Sequence, residues 1–151
     1  MKFLNNCLLL LLFLVTFTSS SFAQDNSKNI SSEIYASVDA AVPGQSFEIA
    51  LKQTLRQGWH SYWKNPGDSG IPLTVNWGEL NGIEIGEFHW PTPETHKVKD
   101  IIDYGYEDDF TLLATVSVPE DFEKNMFVLE GSVTSLVCKE ICIPETQNIA
   151  L

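Results

Sequence analysis

The chain has 151 residues, with 9 Lys and Arg against 20 Asp and Glu and a formal charge of -11 at neutral pH. That balance argues against nucleic acid or an anionic lipid surface as a partner, since both call for a cationic face. The length allows one domain, large enough to bury most of its apolar surface without needing a disulfide to fold.

From the N-terminus, Lys2 precedes an apolar run from Leu8 to Phe17 that closes in Ser19-Ser20-Ser21-Phe22-Ala23. A basic start, an apolar core too short for a stable span and small residues at the cleavage positions mark 1–23 as a secretory signal peptide cut after Ala23. Cleavage takes 23 residues from 151, leaving 128, and removes Cys7; loss of Lys2 moves the charge to -12. The mature chain then has one possible cysteine pair, Cys138 and Cys142, in a compartment where disulfides persist. Residues 24–32 read as a flexible polar leader and 33–151 as the folded domain.

From Glu33 onward, short stretches rich in β-branched and aromatic residues are punctuated by Gly, Pro, Asn and Asp, which predicts strands. Ile34 to Val38 is the first. Val42-Pro43-Gly44-Gln45 is a turn, with Pro fixing φ at one corner and Gly allowing positive φ at the next. Phe47, Ile49, Leu51 and Leu55 share one parity, so that strand buries one face. In the aromatic stretch Gly58 to Pro72, Trp59, Ser61 and Trp63 share one parity and His60 and Tyr62 the other, ahead of a Pro-Gly turn. Leu73, Val75 and Trp77 alternate on a further strand. Ile83 and Ile85 mark the next, with an irregularity before Phe88 and an end at His89-Trp90-Pro91-Thr92-Pro93.

His96 and Lys97 are placed in a connecting loop, and Asp103 to Asp109 in a turn rich in tyrosine and acid. Leu112 to Val118 is a strand stopped by Pro119, Glu120 to Asn125 one helical turn, Met126 to Val137 a long strand and Thr146 to Leu151 the last. The count is about eight strands with turns about every 8 to 12 residues, the pattern of an all-β antiparallel sandwich.

On a continuous strand, cysteines four apart lie about 13 Å from each other, whereas a disulfide needs Cα atoms about 5.5 to 6 Å apart, so Lys139-Glu140-Ile141 must bend if the sulfurs are joined. Three uses remain open on spacing alone. A structural staple closing so short a loop is worth about 2 kcal/mol. A redox pair gains from closeness, because one thiolate attacks and the other resolves without large motion. Two thiolates could also take copper(I) with a third ligand from His60, His89 or His96.

Gly58 to Gly70, Asp103 to Glu107 and Val137 to Glu145, three separated motifs in the right order within a match from about Ile34 to Leu151, nearly the whole mature chain, resemble the amino-terminal periplasmic domain of the DsbD thiol:disulfide interchange family, closest to its ScsB-like, copper-sensitivity-suppressor branch. The resemblance implies an immunoglobulin-like β-sandwich in the periplasm and the activity of a protein-disulfide reductase module without cofactor or metal. It implies a thioredoxin-like electron donor, itself served by a membrane partner protein, and oxidised periplasmic proteins as acceptors. It assigns Cys138 and Cys142 as the reactive pair, with Cys142 forming the mixed disulfide and Cys138 resolving it. It also implies a cap loop at Asp103, Tyr104, Gly105 and Tyr106, with either tyrosine as the shielding ring. The chain departs from the best-known members in its shorter cysteine spacer and in having Asp103 beside Tyr104 where they carry phenylalanine. The membrane and thioredoxin-like domains are not in this sequence; the preferred reading is a fragment or truncated reading frame of a longer protein, the other a stand-alone domain that borrows its electrons from another protein. The alternative is a periplasmic copper-binding or copper-tolerance module using the same cysteines.

Overall fold

Two-residue alternation in the sequence becomes sheet faces in the structure, a computed structural model that describes residues 28–124 and 126–151. The signal-peptide reading of 1–23 lies outside the described residues. Among the described residues ten strands form: β1 Ile30–Ala36, β2 Ser46–Leu55, β3 Ser61–Gly67, β4 Thr74–Trp77, β5 Glu84–Ile85, β6 Glu94–Val98, β7 Ile101–Tyr106, β8 Phe110–Ser117, β9 Glu130–Cys138 and β10 Cys142–Ala150. The fold is an all-β, immunoglobulin-like sandwich in which every named pairing is antiparallel.

One sheet has the order β1-β2-β8-β5, a second β10-β9-β4 and a third β3-β7-β6. An isolated bridge between His60 and Cys138 links the last two, so β9 carries β10 along one edge and first β4, then His60, along the other. Ile49 and Leu51 of β2 and Leu112, Ala114 and Val116 of β8 point inward and are essentially sealed from water. Leu51 and Leu112 pack with Val133 and Ile149 from the facing sheet and with Leu73, Tyr106 and Phe110, while Ile49, Ala114 and Val116 pack with Ile83 and Leu129. Gln53 continues the inward face of β2, and its buried amide is satisfied by the Ser32 hydroxyl at 3.0 Å and the Lys52 carbonyl at 3.3 Å.

Several boundaries differ from the sequence reading. β1 begins at Ile30, inside the expected leader, because Ile30 is buried and the Asn29 side chain donates to Glu145 at 2.7 Å. The expected helical turn after Pro119 is a plain turn, with Phe122 N donating to Pro119 O at 3.3 Å. β9 starts at Glu130 rather than at Met126, and β10 starts at Cys142 rather than Thr146.

The largest departure is the hairpin β6–β7, where a loop containing His96 and a turn at 103–109 were expected. Its connection is Lys99-Asp100, with Lys99 at φ 57°, a two-residue turn built without the glycine or asparagine that normally announces one. β6 is largely exposed, and β7 is buried only at Gly105 and Tyr106, two neighbours of opposite parity, so no apolar stripe marks either strand. The true turn is confined to Glu107-Asp108-Asp109.

The face assignment is open to a paired test. Leu112→Ala, at a fully buried position, should lower the free energy of unfolding in urea by about 2 to 5 kcal/mol. Leu113→Ala, on the outer face of the same strand and 40% exposed, should change it by no more than about 0.5 kcal/mol. Equal losses would contradict the inward register of β8.

Candidate functional site

The β9–β10 hairpin sets Cys138 directly opposite Cys142, leaving Lys139-Glu140-Ile141 as the entire connection. Lys139 N donates to Ile141 O at 3.1 Å, which is the bend that the cysteine spacing demanded. The Cα atoms come to 4.0 Å and the sulfurs are bonded. Burial separates the two: Cys138 is 2% exposed, while Cys142 stands at the surface. The two residues of the pair thus differ in their exposure to solvent.

His60 braces Cys138 from the opposite edge of β9. His60 N donates to Cys138 O and Cys138 N to His60 O, both at 2.9 Å. In such a doubly bonded antiparallel pair the two side chains emerge on the same face of the sheet. Alternation then carries Tyr62, two residues on, to that face as well. Its hydroxyl donates to Cys138 Sγ at 3.2 Å and lies 3.9 Å from Cys142 Sγ.

Tyr62 is wedged in place. The backbone of Gly70, at φ 87°, lies flat on the phenol ring, where an added Cβ would sit 2.3 Å from ring carbons. Gly70 is held by its neighbour: Ser69 N and Oγ donate to the Asp103 carboxylate at 2.8 and 2.7 Å. Asp68 ties the same loop to β7, accepting from Ile102 N at 2.8 Å. On the other side, Gly105 faces Tyr62 in the ladder, and a Cβ there would meet Ser61 O at 2.1 Å, so the two strands can close only on a glycine.

Asp103, Tyr104, Gly105 and Tyr106 accordingly lie in β7, a paired strand rather than a loop. Tyr106 turns into the core, stacked on Phe110 at 4.0 Å, with its hydroxyl donating to Pro91 O at 2.8 Å. Tyr104, at the next position of the same parity, is 37% exposed and edge-on to Trp63 at 6.4 Å. The phenol touching the sulfurs is that of Tyr62, and Asp103 reaches the pair only through Ser69 and Gly70. The signal for Tyr62 was its shared parity with His60; what the sequence lacked was the bridge that puts this parity beside Cys138.

The surroundings are titratable. The His60 ring meets the edge of Tyr62 at 5.5 Å and stacks on His96 at 5.6 Å, while His96 Nδ1 lies 3.0 Å from the Glu107 carboxylate. Burial, then the neighbouring His96, hold the His60 imidazole below its ordinary value, with Glu107 and Asp103 pulling the other way. Burial chiefly, and the Asp103 charge next, raise the Tyr62 phenol above its usual range, with the Ser69 hydroxyl opposing. Burial alone pushes Tyr106 up to about 12, so both hydroxyls are neutral donors at physiological pH.

A cleft of about 490 Å³ opens beside His60, lined by Trp59, Glu94, Glu107, Asp108 and Asp109. His89 belongs to the other sheet, bridged to Leu113 of β8. Among the described residues no group of three or more His, Cys, Asp or Glu side chains is arranged to hold a metal ion.

The family model for the N-terminal part of thiol:disulfide interchange protein DsbD matches residues 30–151. Among solved structures, the N-terminal periplasmic domain of ScsB from Proteus mirabilis superposes with a TM-score of 0.65 at 22% identity, covering 84% of this chain and 47% of its own. The chain thus spans about half the length of that domain, and at this identity the likeness shows the fold. A structure titled "AvmM Catalyzes Macrocyclization in Alchivemycin A Biosynthesis" aligns over 83% of this chain and 89% of its own at 10% identity with a TM-score of 0.33, too low to carry an argument. No curated protein sequence matches the chain.

The Tyr62 hydroxyl is aimed at the sulfur that must accept an electron pair when Cys142 is attacked, so its hydrogen bond strengthens as charge develops on Cys138. Tyr62→Phe keeps the ring and removes the donor; it should slow reduction of the disulfide by dithiothreitol by about threefold to tenfold with little change in unfolding free energy. A rate equal to the parent's would show that the hydroxyl contributes nothing to the reaction.

Proposed function

Because the chain belongs to the family of DsbD amino-terminal domains, we propose that it is an exported thiol-disulfide exchange domain that relays two electrons in the periplasm through Cys138 and Cys142. The observation that carries this reading is the asymmetry of the pair, one sulfur at the surface and the other buried beneath a phenol hydroxyl.

In the reductive half, a thiolate of a thioredoxin-like donor attacks Cys142 Sγ. The Cys138–Cys142 bond breaks, its electron pair leaves with Cys138 and a mixed disulfide joins Cys142 to the donor. The donor's second thiol then attacks its own bridged sulfur, releasing Cys142 and leaving the donor oxidised. In the second half, the Cys142 thiolate attacks the disulfide of an oxidised periplasmic protein, and Cys138 resolves the resulting mixed disulfide, restoring the bond that the structure contains. Two electrons and two protons pass in each half, and no cofactor is required. Tyr62 serves both halves as the donor to Cys138 and as the ring that limits access to the pair.

A donor that itself depends on a membrane protein would complete the relay. The signal peptide at 1–23 would bring the domain to that compartment.

The test is trapping. With a thioredoxin-like donor whose resolving cysteine is replaced, the parent chain should yield a disulfide-linked complex on a non-reducing gel; with the same donor's remaining thiol first activated as its mixed disulfide with thionitrobenzoate, Cys138→Ala should trap by expelling thionitrobenzoate and Cys142→Ala should not. Trapping that survives in Cys142→Ala and disappears in Cys138→Ala would reverse the roles.

A further inference from the structure

One imidazole, that of His60, lies beside the disulfide and a second, that of His96, stacks on it; the exchange chemistry described above uses neither. His60 is joined to Cys138 by two backbone hydrogen bonds at 2.9 Å, which sends both side chains to one face. His96 comes from a different strand, β6, and stacks on His60 at 5.6 Å with an interplanar angle of 26°. Glu107, beyond the end of β7, takes His96 Nδ1 at 3.0 Å. The row Glu107, His96, His60, Tyr62 therefore leads from solvent to the buried sulfur, with each member within ring-contact or hydrogen-bond reach of the next.

We propose that His60, held in place by the His96–Glu107 pair, is a positioning residue whose protonation state tunes Cys138 as the leaving sulfur, making disulfide exchange in this protein sensitive to pH in the range of histidine titration. The proposal rests on the exchange reading, in which Cys142 is attacked and Cys138 departs. In that step the electron pair of the broken bond goes to Cys138 Sγ; an imidazolium on the same face stabilises the new thiolate, and a leaving thiolate of lower pKa departs faster. The proton itself stays on His60 during bond breaking, and Cys138 takes its own from water afterwards.

Charged and titratable groups face His60 from several directions. Tyr62 lies on its own strand, His96 and Glu94 on β6, Asp103 on β7, Glu107, Asp108 and Asp109 in the turn after it, and Lys139 beside Gly58. The two largest influences on His60, burial and His96, both disfavour its cation. Its titration therefore falls below the ordinary imidazole value. The sign follows: the cation is present at low pH and is lost as pH rises through this depressed value, so the assisted rate belongs to the acidic side.

The experiment measures the second-order rate of Cys138–Cys142 reduction by dithiothreitol from about pH 4.5 to 8.5, each rate divided by the thiolate concentration so that the reductant's own titration cancels. The parent chain should react about threefold to tenfold faster per thiolate on the acidic plateau than on the basic one. The inflection should coincide with the His60 imidazole titration followed by NMR in the same unmodified protein. His60→Gln should flatten the profile. His96→Gln removes a neighbour that opposes the His60 cation, so it should move the inflection to higher pH without abolishing it. A purely structural histidine would change rates without moving an inflection. A flat parent profile, or an inflection that survives His60→Gln, would overturn the proposal. Since dithiothreitol needs no docking surface, this readout is separate from the trapping of a protein donor, and either can fail without the other.

Discussion

Cys138 is paired along both edges of its strand, and the arrangement of the site depends on that constraint. On one edge β10 folds back so tightly that Cys142 becomes its cross-strand partner. On the other edge His60 takes both of its backbone groups. The ladder hydrogen bonds, each worth about 0.5 to 1.5 kcal/mol net, fix the face on which the Cys138 side chain emerges, and burial there leaves the residue 2% exposed. Cys142, at the start of β10 and next to a three-residue turn, has no such restraint on its outer side. Two residues of the same type thus receive different chemistry from backbone pairing, before any side chain is considered.

The side chains then build on that asymmetry in a chain of contacts reaching β7. Asp103 holds Ser69, Ser69 brings Gly70 across the ring of Tyr62, and Tyr62 meets the sulfur of Cys138. The two closest backbone approaches, at Gly70 and Gly105, are positions where any Cβ would collide, so the ring and the strands lie as near as the backbone allows. The apolar pocket bordered by Phe47, Phe127 and Leu129 adjoins the opposite end of β9 and takes no part in this chemistry.

Most of the scaffold was legible in the sequence because its strands are half-buried and alternate cleanly. β2 and β8 show odd-numbered and even-numbered apolar positions that the structure buries as a set. The Pro43-Gly44 turn forms as its composition demands, with Gln45 N on Val42 O at 3.1 Å and Gly44 at φ 77°. The β6–β7 hairpin was hidden for equally physical reasons. Its turn uses Lys99 where glycine is usual, β6 is largely exposed, and the burial of β7 does not alternate, so neither strand leaves an apolar signature. That omission bears on the site, since the resemblance to the family put a cap loop at Asp103 to Tyr106 with Tyr104 or Tyr106 as the shielding ring. A strand there sends Tyr106 to the core and leaves contact with the sulfurs to Tyr62. The proximity of His60 to Cys138 was beyond sequence reasoning, because it comes from one isolated bridge between residues 78 apart in the chain.

The central claim is that the bond between Cys138 and Cys142 is an exchange-active disulfide and not a passive staple, and its midpoint potential tests that most directly. The mature domain would be equilibrated in graded redox buffers and its free thiols counted by alkylation and mass. A value between about -180 and -270 mV is the result this account expects, within reach of thioredoxin-like donors; a value below about -300 mV would make the bond a structural bridge and contradict it.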